Sequence, residues 1–236
     1  MTDNTAGWID FWNRPNNAIY VNERNLEVHF ETLRRDVVQF IPAGGRVLDF
    51  GCGDALIAEA VAERAGIVHL FDAAPAVQRR IRERFEGHPR IRVLDAGALA
   101  AMPDGSIDLV LVISVVQYLP QDDLAGLMAQ WRRLLAPGGQ LLIADVVEPH
   151  TPMYRDVGSQ LTLAWKHGFF LAALFGLAKL AFSDYRRIRR DAGFSTYTPA
   201  DMLGMLKGAG FEAKHLQRNV GPTPHRNSFL ATRPAA

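Results

Sequence analysis

Apolar segments alternate with helical segments through the middle of the chain, and this order constrains the fold more than any other feature. The apolar segments lie at 46–50, 67–71, 91–94, 107–114 and 140–146, and helical patterns lie at 55–64, 76–85 and 122–135. Apolar strands that alternate with helices are typical of a parallel sheet covered on both faces. The sequence therefore predicts an α/β fold with a mostly parallel sheet.

The segments that flank this region have different patterns. Residues 22–40 have apolar side chains at helical spacing, and 149–197 form a long, mostly helical block without a strand signal. Thr198 and Pro199 are a suitable N-cap and first residue for a helix. Two apolar segments, at 211–220 and 227–232, then predict an antiparallel hairpin. We expect one domain, 1–236, with four parts: an N-terminal helical cap (1–40), a cofactor-binding core (41–148), a helical lid (149–197), and a closing helix and hairpin (198–236).

Composition excludes several classes of protein. Lys and Arg total 26 and Asp and Glu total 25, so no basic excess attracts nucleic acid. The single cysteine, Cys52, excludes an internal disulfide framework and a cysteine-rich zinc site. The first ten residues lack a secretory signal pattern, and the longest uncharged apolar run, Gly168–Ala178, is eleven residues. A bilayer span needs about 20 residues, so we expect a cytoplasmic protein without a spanning helix.

Glycines and acids stand where successive strands end. Gly51 and Gly53 follow the first strand, where glycine allows a ligand to approach the backbone closely. Asp72 ends the second strand nineteen residues after Gly53, which is the spacing of a carboxylate that accepts ribose hydroxyls. Asp95 ends the third strand. The pattern predicts a nucleoside-containing ligand.

Two such ligands compete for this site. A dinucleotide motif needs a third glycine where this chain has Leu56. Asp49 and Asp54 flank the glycines and would repel a pyrophosphate, whereas they favour a ligand with sulfonium and ammonium groups. We therefore favour S-adenosylmethionine over NAD. An NAD-dependent oxidoreductase and a non-catalytic S-adenosylmethionine-binding protein are the alternatives.

Five segments carry a more specific resemblance. They are VLDFGCGDA (47–55), HLFDAAP (69–75), DAGAL (95–99), IDLVLVISVVQYLP (107–120) and LLAPGGQLLIAD (134–145). The chain resembles the class I S-adenosylmethionine-dependent methyltransferases, in particular small-molecule methyltransferases of the quinone-biosynthesis type. The resemblance implies a Rossmann-like, seven-stranded sheet and methyl transfer to a small acceptor.

The resemblance also implies a role for individual residues in binding S-adenosylmethionine. At the methionine part, Gly51 and Gly53 are expected to make contacts through their backbone, and Asp49 to bind the ammonium group. Asp72 is expected to bind the ribose, and Ala73, Asp95 and Ala96 the adenine. Ser114 is expected to face the methionine carboxylate or the methyl group, with Gln117 and Tyr118 beside the reacting centre.

The reaction type follows from the segment after the fourth strand. Residues 114–118 lack the Asn/Asp-Pro-Pro pattern of base and glutamine methylation, and Ser114 stands where metal-dependent catechol enzymes have a carboxylate. We therefore expect no metal, and oxygen or carbon acceptors over nitrogen. Such acceptors usually need a base. The candidate bases are Tyr20, His29, His167 and Tyr118, and we prefer Tyr20 and His167. Two acids, Asp145 and Glu148, end the fifth strand and could reach the acceptor.

The predicted lid is unusually apolar from 161 to 182. Trp165 and Phe169 are expected to line a hydrophobic substrate. Two other interpretations place residues 161–190 against a membrane, or in a homodimer interface. The membrane interpretation uses the arginines at 186, 187, 189 and 190. Apolar residues lie nearly all round this helix, which favours burial over an interfacial stripe.

Overall fold

The computed structural model describes residues 3–13, 22–181 and 195–235. Seven strands form one sheet: β1 (Arg46–Phe50), β2 (Ile67–Phe71), β3 (Ile91–Val93), β4 (Ile107–Ile113), β5 (Leu135–Val146), β6 (Glu212–His215) and β7 (Asn227–Thr232). The strand order is β3-β2-β1-β4-β5-β7-β6. Strands β1 to β5 are parallel, and β7 is antiparallel to both β5 and β6. The predicted mixed sheet with a C-terminal hairpin is therefore confirmed.

Nine α-helices accompany the sheet in the described part of the chain. They are α1 (Asp3–Asn13), α2 (Glu23–Val37), α3 (Ala58–Arg64), α4 (Pro75–Arg84), α5 (Ala96–Ala100), α6 (Gln121–Leu134), α7 (Met153–Lys166), α8 (Phe170–Ala181) and α9 (Pro199–Gly208). Thr198 and Asp201 form a capping box at the start of α9, as the Thr-Pro sequence predicts.

Strand alternation divides the core into two layers. Leu48 and Val110 point to one face of the sheet, where α6 buries Trp131 completely beside them. Val47 and Leu109 point to the other face, which α2, α3 and α4 cover. Because both faces are covered, β1 and β4 are buried along most of their length.

Some boundaries differ from the sequence predictions. Helix α3 begins at Ala58 rather than at 55, because Ala55 has a left-handed φ of 51° within a turn. Strand β6 pairs with β7 over only four residues, not over 211–220. Helix α5 was not predicted, since its five residues are too few for a periodic pattern.

The N-terminal helix covers the end of the sheet. The side-chain oxygen of Asn13 accepts a hydrogen bond from the Ala76 amide at 2.9 Å, which ties α1 to α4. The rings of Trp8 and Tyr118 lie 4.6 Å apart, centroid to centroid. Helix α1 therefore lies over the segment that follows β4.

The lid is two helices rather than one continuous helix. Gly168, with φ of 77°, lies between α7 and α8. Phe169 and Ala164 are buried against Val28 of α2. The expectation of burial nearly all round is wrong, because one face is exposed. That face consists of side chains that are 50–75% exposed: Tyr154, Trp165, Leu171, Leu174 and Phe175.

No helix within the described ranges is long and apolar enough to cross a membrane.

Candidate active site

The loop after β1 forms a cradle at the carboxyl end of the sheet. Gly51 and Gly53 have φ values of 74° and 54°, which favour glycine. A Cβ on Gly51 would lie 2.5 Å from a methyl carbon of Val115, whereas one on Gly53 would meet no atom within 4 Å. The loop therefore packs against the segment after β4 on one side and faces open space on the other.

Two carboxyl groups, the buried Asp49 and the half-buried Asp72, lie beside this loop. Burial, together with the nearby Asp72, raises the pKa of Asp49 to about 7. Asp72 accepts hydrogen bonds from the amides of Gly53 at 3.0 Å and Ala74 at 2.8 Å. Burial raises the pKa of Asp72, and those two hydrogen bonds oppose the rise. A cation placed between the two carboxylates would relieve their repulsion, whereas a phosphate would increase it.

The carboxylate at the end of β3, Asp95, has a different hydrogen-bond partner from Asp72. An oxygen of Asp95 accepts from the Ala98 amide at 2.8 Å and caps α5. Asp95, Ala96 and, at the end of β2, Ala73 are all exposed to a ligand beside the sheet. Their expected contacts with adenine stay predictions.

Ser114 and Gln117 lie where β4 ends, next to the glycine loop. The Ser114 hydroxyl donates to a carboxylate oxygen of Asp145 at 2.8 Å. Gln117 lies in a short 3-10 helix, Val116–Tyr118, and is 6% exposed. Its side-chain carbonyl oxygen is buried and accepts no hydrogen bond from any described residue. An acceptor without a partner beside an open glycine loop fits a site that a polar ligand completes.

A polar cluster that the sequence analysis missed lies beyond Asp145. One oxygen of Asp156, on α7, is 2.8 Å from His225 Nε2 and accepts from Arg226 at 2.8 Å. Ser159 Oγ is 3.1 Å from His225 Nδ1. Asp156 and His225 are 69 residues apart, so no local pattern joins them. The long loop before β7 was the only available signal.

The structure places the predicted bases in different surroundings. His167 is exposed at the end of α7, about 16 Å along the helix axis from Asp156. Burial lowers the pKa of His29 to about 4, so its imidazole is neutral at neutral pH. Tyr118 packs against Trp8. Tyr20 lies outside the described residues.

The two lid residues that were expected to line the substrate, Trp165 and Phe169, lie in different surroundings. Trp165 is 75% exposed on the outer face of the lid, whereas Phe169 is buried against α2.

Burial and the neighbouring acids raise the pKa of Cys52 well above its usual value, so its thiol is not activated. Among the described residues, no group of three or more His, Cys, Asp or Glu is arranged to hold a metal ion.

Comparison with known proteins agrees with this geometry. Residues 47–139 match the family model of a methyltransferase domain. The ubiquinone biosynthesis O-methyltransferase of Xanthomonas axonopodis pv. citri is 34% identical over 174 residues, which cover 72% of this chain and 64% of that relative. An uncharacterized methyltransferase of Mycobacterium tuberculosis is 32% identical over 127 residues, 53% of this chain and 61% of that protein. The chain thus spans less than two thirds of the length of these curated relatives.

A solved structure gives the same fold over the full length. The N-methyltransferase NodS of Bradyrhizobium japonicum, in complex with S-adenosylhomocysteine, aligns with 99% of this chain and 100% of its own, at a TM-score of 0.59 and 16% identity. At that identity the likeness concerns the fold. Residues 47–139 thus match a methyltransferase domain, and the strand order and the acids at the strand ends are similar to those of class I S-adenosylmethionine-dependent methyltransferases.

Proposed function

We propose that this protein transfers the methyl group of S-adenosylmethionine to a hydroxyl group of a small, hydrophobic acceptor. The observation that carries the proposal is the pair of carboxyl groups beside an open glycine loop, the buried Asp49 and the half-buried Asp72. S-adenosylmethionine is a cation at both its sulfonium and its ammonium group, and it supplies an electrophilic methyl group.

Each part of the cofactor has a partner at the strand ends. Asp49 would hold the ammonium group, and Asp72 the ribose hydroxyls, to which its carboxylate can still offer lone pairs. Ser114 and Gln117 would lie at the methionine end, and Gly51 and Gly53 leave room for its backbone approach. Ala73, Asp95 and Ala96 would line the adenine.

The alternatives are weaker on electrostatic grounds. NAD would place a pyrophosphate beside Asp49 and Asp72, and the loop has Leu56 in place of a third glycine. A non-catalytic binding protein would retain the cofactor site, so only turnover separates it from an enzyme.

A hydroxyl acceptor is favoured by the polar end of the site. Asp145, held by Ser114, lies on the acceptor side of the sheet and can take a proton. The O-methyltransferase of Xanthomonas supports oxygen as the acceptor atom. Helix α1 brings the Trp8 ring against Tyr118 after β4, and apolar surface there suits a hydrophobic molecule.

A calorimetric binding titration tests the cofactor first, and a turnover assay then tests the acceptor. Purified protein is titrated with S-adenosylhomocysteine, and with NADH as the control. It is then assayed for S-adenosylhomocysteine release with an alkylphenol, an alkylcatechol and a matched alkylaniline. We expect binding of S-adenosylhomocysteine alone and methylation of a hydroxyl compound. Binding of NADH alone, or preference for the aniline, would contradict the proposal.

We further propose that the protein is cytoplasmic and touches an anionic membrane through the outer face of the lid. Trp165 and Phe175 are 75% and 74% exposed there. Exposed aromatic side chains on a helix insert into the interface of a bilayer. The sequence adds four arginines within 186–190, which lie outside the described residues and suit anionic head groups.

Vesicle co-sedimentation tests the membrane contact. The wild type should sediment with phosphatidylglycerol vesicles and less with phosphatidylcholine. Trp165→Ser with Phe175→Ser should reduce sedimentation, whereas Leu56→Ser, at an exposed apolar residue away from the lid, should not. A homodimer that the double variant dissociates, with no vesicle binding, would show that the face is a dimer interface instead.

A further inference from the structure

Two neighbouring strand ends have an unusual backbone conformation. Ser114, after β4, has φ of 58°, and Asp145, at the end of β5, has φ of 62°. Residues other than glycine rarely adopt such values, and strained residues concentrate at functional sites. Here the strain turns both side chains toward each other, and the Ser114 hydroxyl donates to Asp145 Oδ2 at 2.8 Å.

Their position in the sheet places Asp145 on the acceptor side of the cofactor. Strands β1 and β4 are neighbours although β2 and β3 lie between them in sequence. Ligands of open α/β sheets bind in the crevice at such a point. Gly51 packs against Val115, which adjoins Ser114. Asp145, in β5, therefore lies two strands from the glycine loop, with β4 between them, and a molecule that attacks the methyl group would approach there.

Hydrogen bonds orient Asp145, and they involve only one of its two carboxylate oxygens among the described residues. Its amide donates to the side-chain oxygen of Asn219 at 3.2 Å, and that oxygen also accepts from Ser228 at 2.7 Å. The Ser114 bond uses Oδ2, and Oδ1 accepts no hydrogen bond from any described residue. The carboxylate is thus oriented and still able to accept a proton.

Charged groups around Asp145 adjust its basicity. Burial raises its pKa, and the nearby Asp156 acts in the same direction. Arg226, the Ser114 hydroxyl and His225 oppose this rise. A carboxylate with a raised pKa is a stronger base than a solvated one.

His225 is less suited to this role. Its Nε2 lies against Asp156 and its Nδ1 against Ser159, so both ring nitrogens are engaged. It links the lid helix α7 to the loop before β7 instead.

We propose that Asp145 is the catalytic base, which accepts the proton of the acceptor's hydroxyl group through Oδ1. The inference rests on the proposed function. As the hydroxyl oxygen forms its bond to the methyl carbon, the carbon–sulfur bond breaks and its electrons stay on sulfur. The proton passes to Asp145 and later to solvent. Ser114 is a positioning residue.

The variant Asp145→Asn tests this base at constant shape, because asparagine tolerates the left-handed conformation. Rates are compared for a neutral alkylphenol and for a nitro-substituted analogue that is already ionised at the assay pH. We expect the variant to lose about 100-fold or more on the neutral phenol. On the ionised one it should retain most of its activity. Asp104→Asn, at an exposed acid paired with Arg133, is the control and should change neither rate.

Other outcomes separate the two proposals. Equal loss on both phenols, or no loss on either, overturns the base assignment while methyl transfer stands. Failure of the wild type to bind S-adenosylhomocysteine overturns the proposed function.

If the wild type binds S-adenosylhomocysteine but methylates neither phenol, binding of the nitrophenolate to that complex is measured by its absorbance. Removal of the negative charge should then tighten binding in Asp145→Asn, and equal affinities overturn the inference.

Discussion

The affinity for S-adenosylmethionine should rise with pH across neutrality. Asp49 must be ionised to attract the ammonium group, yet burial and Asp72 raise its pKa to about 7. Protonated Asp49 has no charge to offer, so the binding-competent fraction of the protein grows as the pH rises through this pKa.

The magnitude follows from the ionised fraction. With a pKa of about 7, Asp49 is roughly 9% ionised at pH 6 and roughly 91% ionised at pH 8. Apparent affinity scales with the competent fraction, so it should increase about tenfold, or about 1.4 kcal/mol.

Isothermal calorimetry with S-adenosylhomocysteine from pH 6 to pH 8 measures this slope. Asp49→Asn should bind weakly and lose most of the pH dependence. Asp54→Asn is the matched control, because Asp54 is exposed and paired with Arg80, and it should keep the wild-type slope. A flat wild-type profile, or an unchanged slope in Asp49→Asn, would refute the reasoning.

The same carboxyl group should destabilise the protein without ligand. An acid whose folded-state pKa is raised binds its proton more tightly in the folded state, so stability falls as the pH rises from about 4 to about 7. The rise of the Asp49 pKa from its ordinary value of 3.8 to about 7 sets an upper bound of about 4 kcal/mol on this loss of stability. Asp49→Asn should therefore raise the melting temperature by several degrees at pH 8 and change it little near pH 4.

Three further substitutions test the loop and a helix cap. Gly51→Ala should lower the melting temperature, and it should also lower the affinity for S-adenosylhomocysteine at least about tenfold. The reason is that its Cβ would lie 2.5 Å from Val115 at a left-handed φ. Gly53→Ala, where the space is open, should cost about 1–2 kcal/mol of stability in urea unfolding from its φ alone. Thr198→Ala should lose about 1 kcal/mol by the same measurement, because it removes the capping box, and should leave calorimetric S-adenosylhomocysteine binding unchanged.

Several elements of the fold were predictable because their signals are local. Strands β1, β2 and β7 have the bounds that their apolar segments predict, since each is buried and ends at a glycine, an acid or a turn. Helix α9 begins where its Thr-Pro cap indicates. In each case the chemistry that begins or ends the element lies within a few residues of it.

The lid was predicted less well because its exposure depends on what it packs against. Composition shows that 161–182 is apolar, but it does not show that Ala164 and Phe169 pack inward against Val28 of α2. Trp165 then points outward, and its contact with the substrate stays a prediction. A periodicity argument cannot choose a face when apolar residues surround the helix.

The candidate site divides along the same line. Its cofactor half is made of residues at the ends of consecutive strands, so a single pass along the sequence finds Asp49, Gly51 and Asp72. Its acceptor half joins Asp145 and Ser114, 31 residues apart, and Asp156 and His225, 69 residues apart. The first pair forms when β4 and β5 pair, and the second forms only once helix α7 and the loop before β7 have packed. Local motifs therefore predict the cofactor, whereas the acceptor depends on long-range packing. Variation in the lid and the hairpin can change the substrate without disturbing the cofactor site.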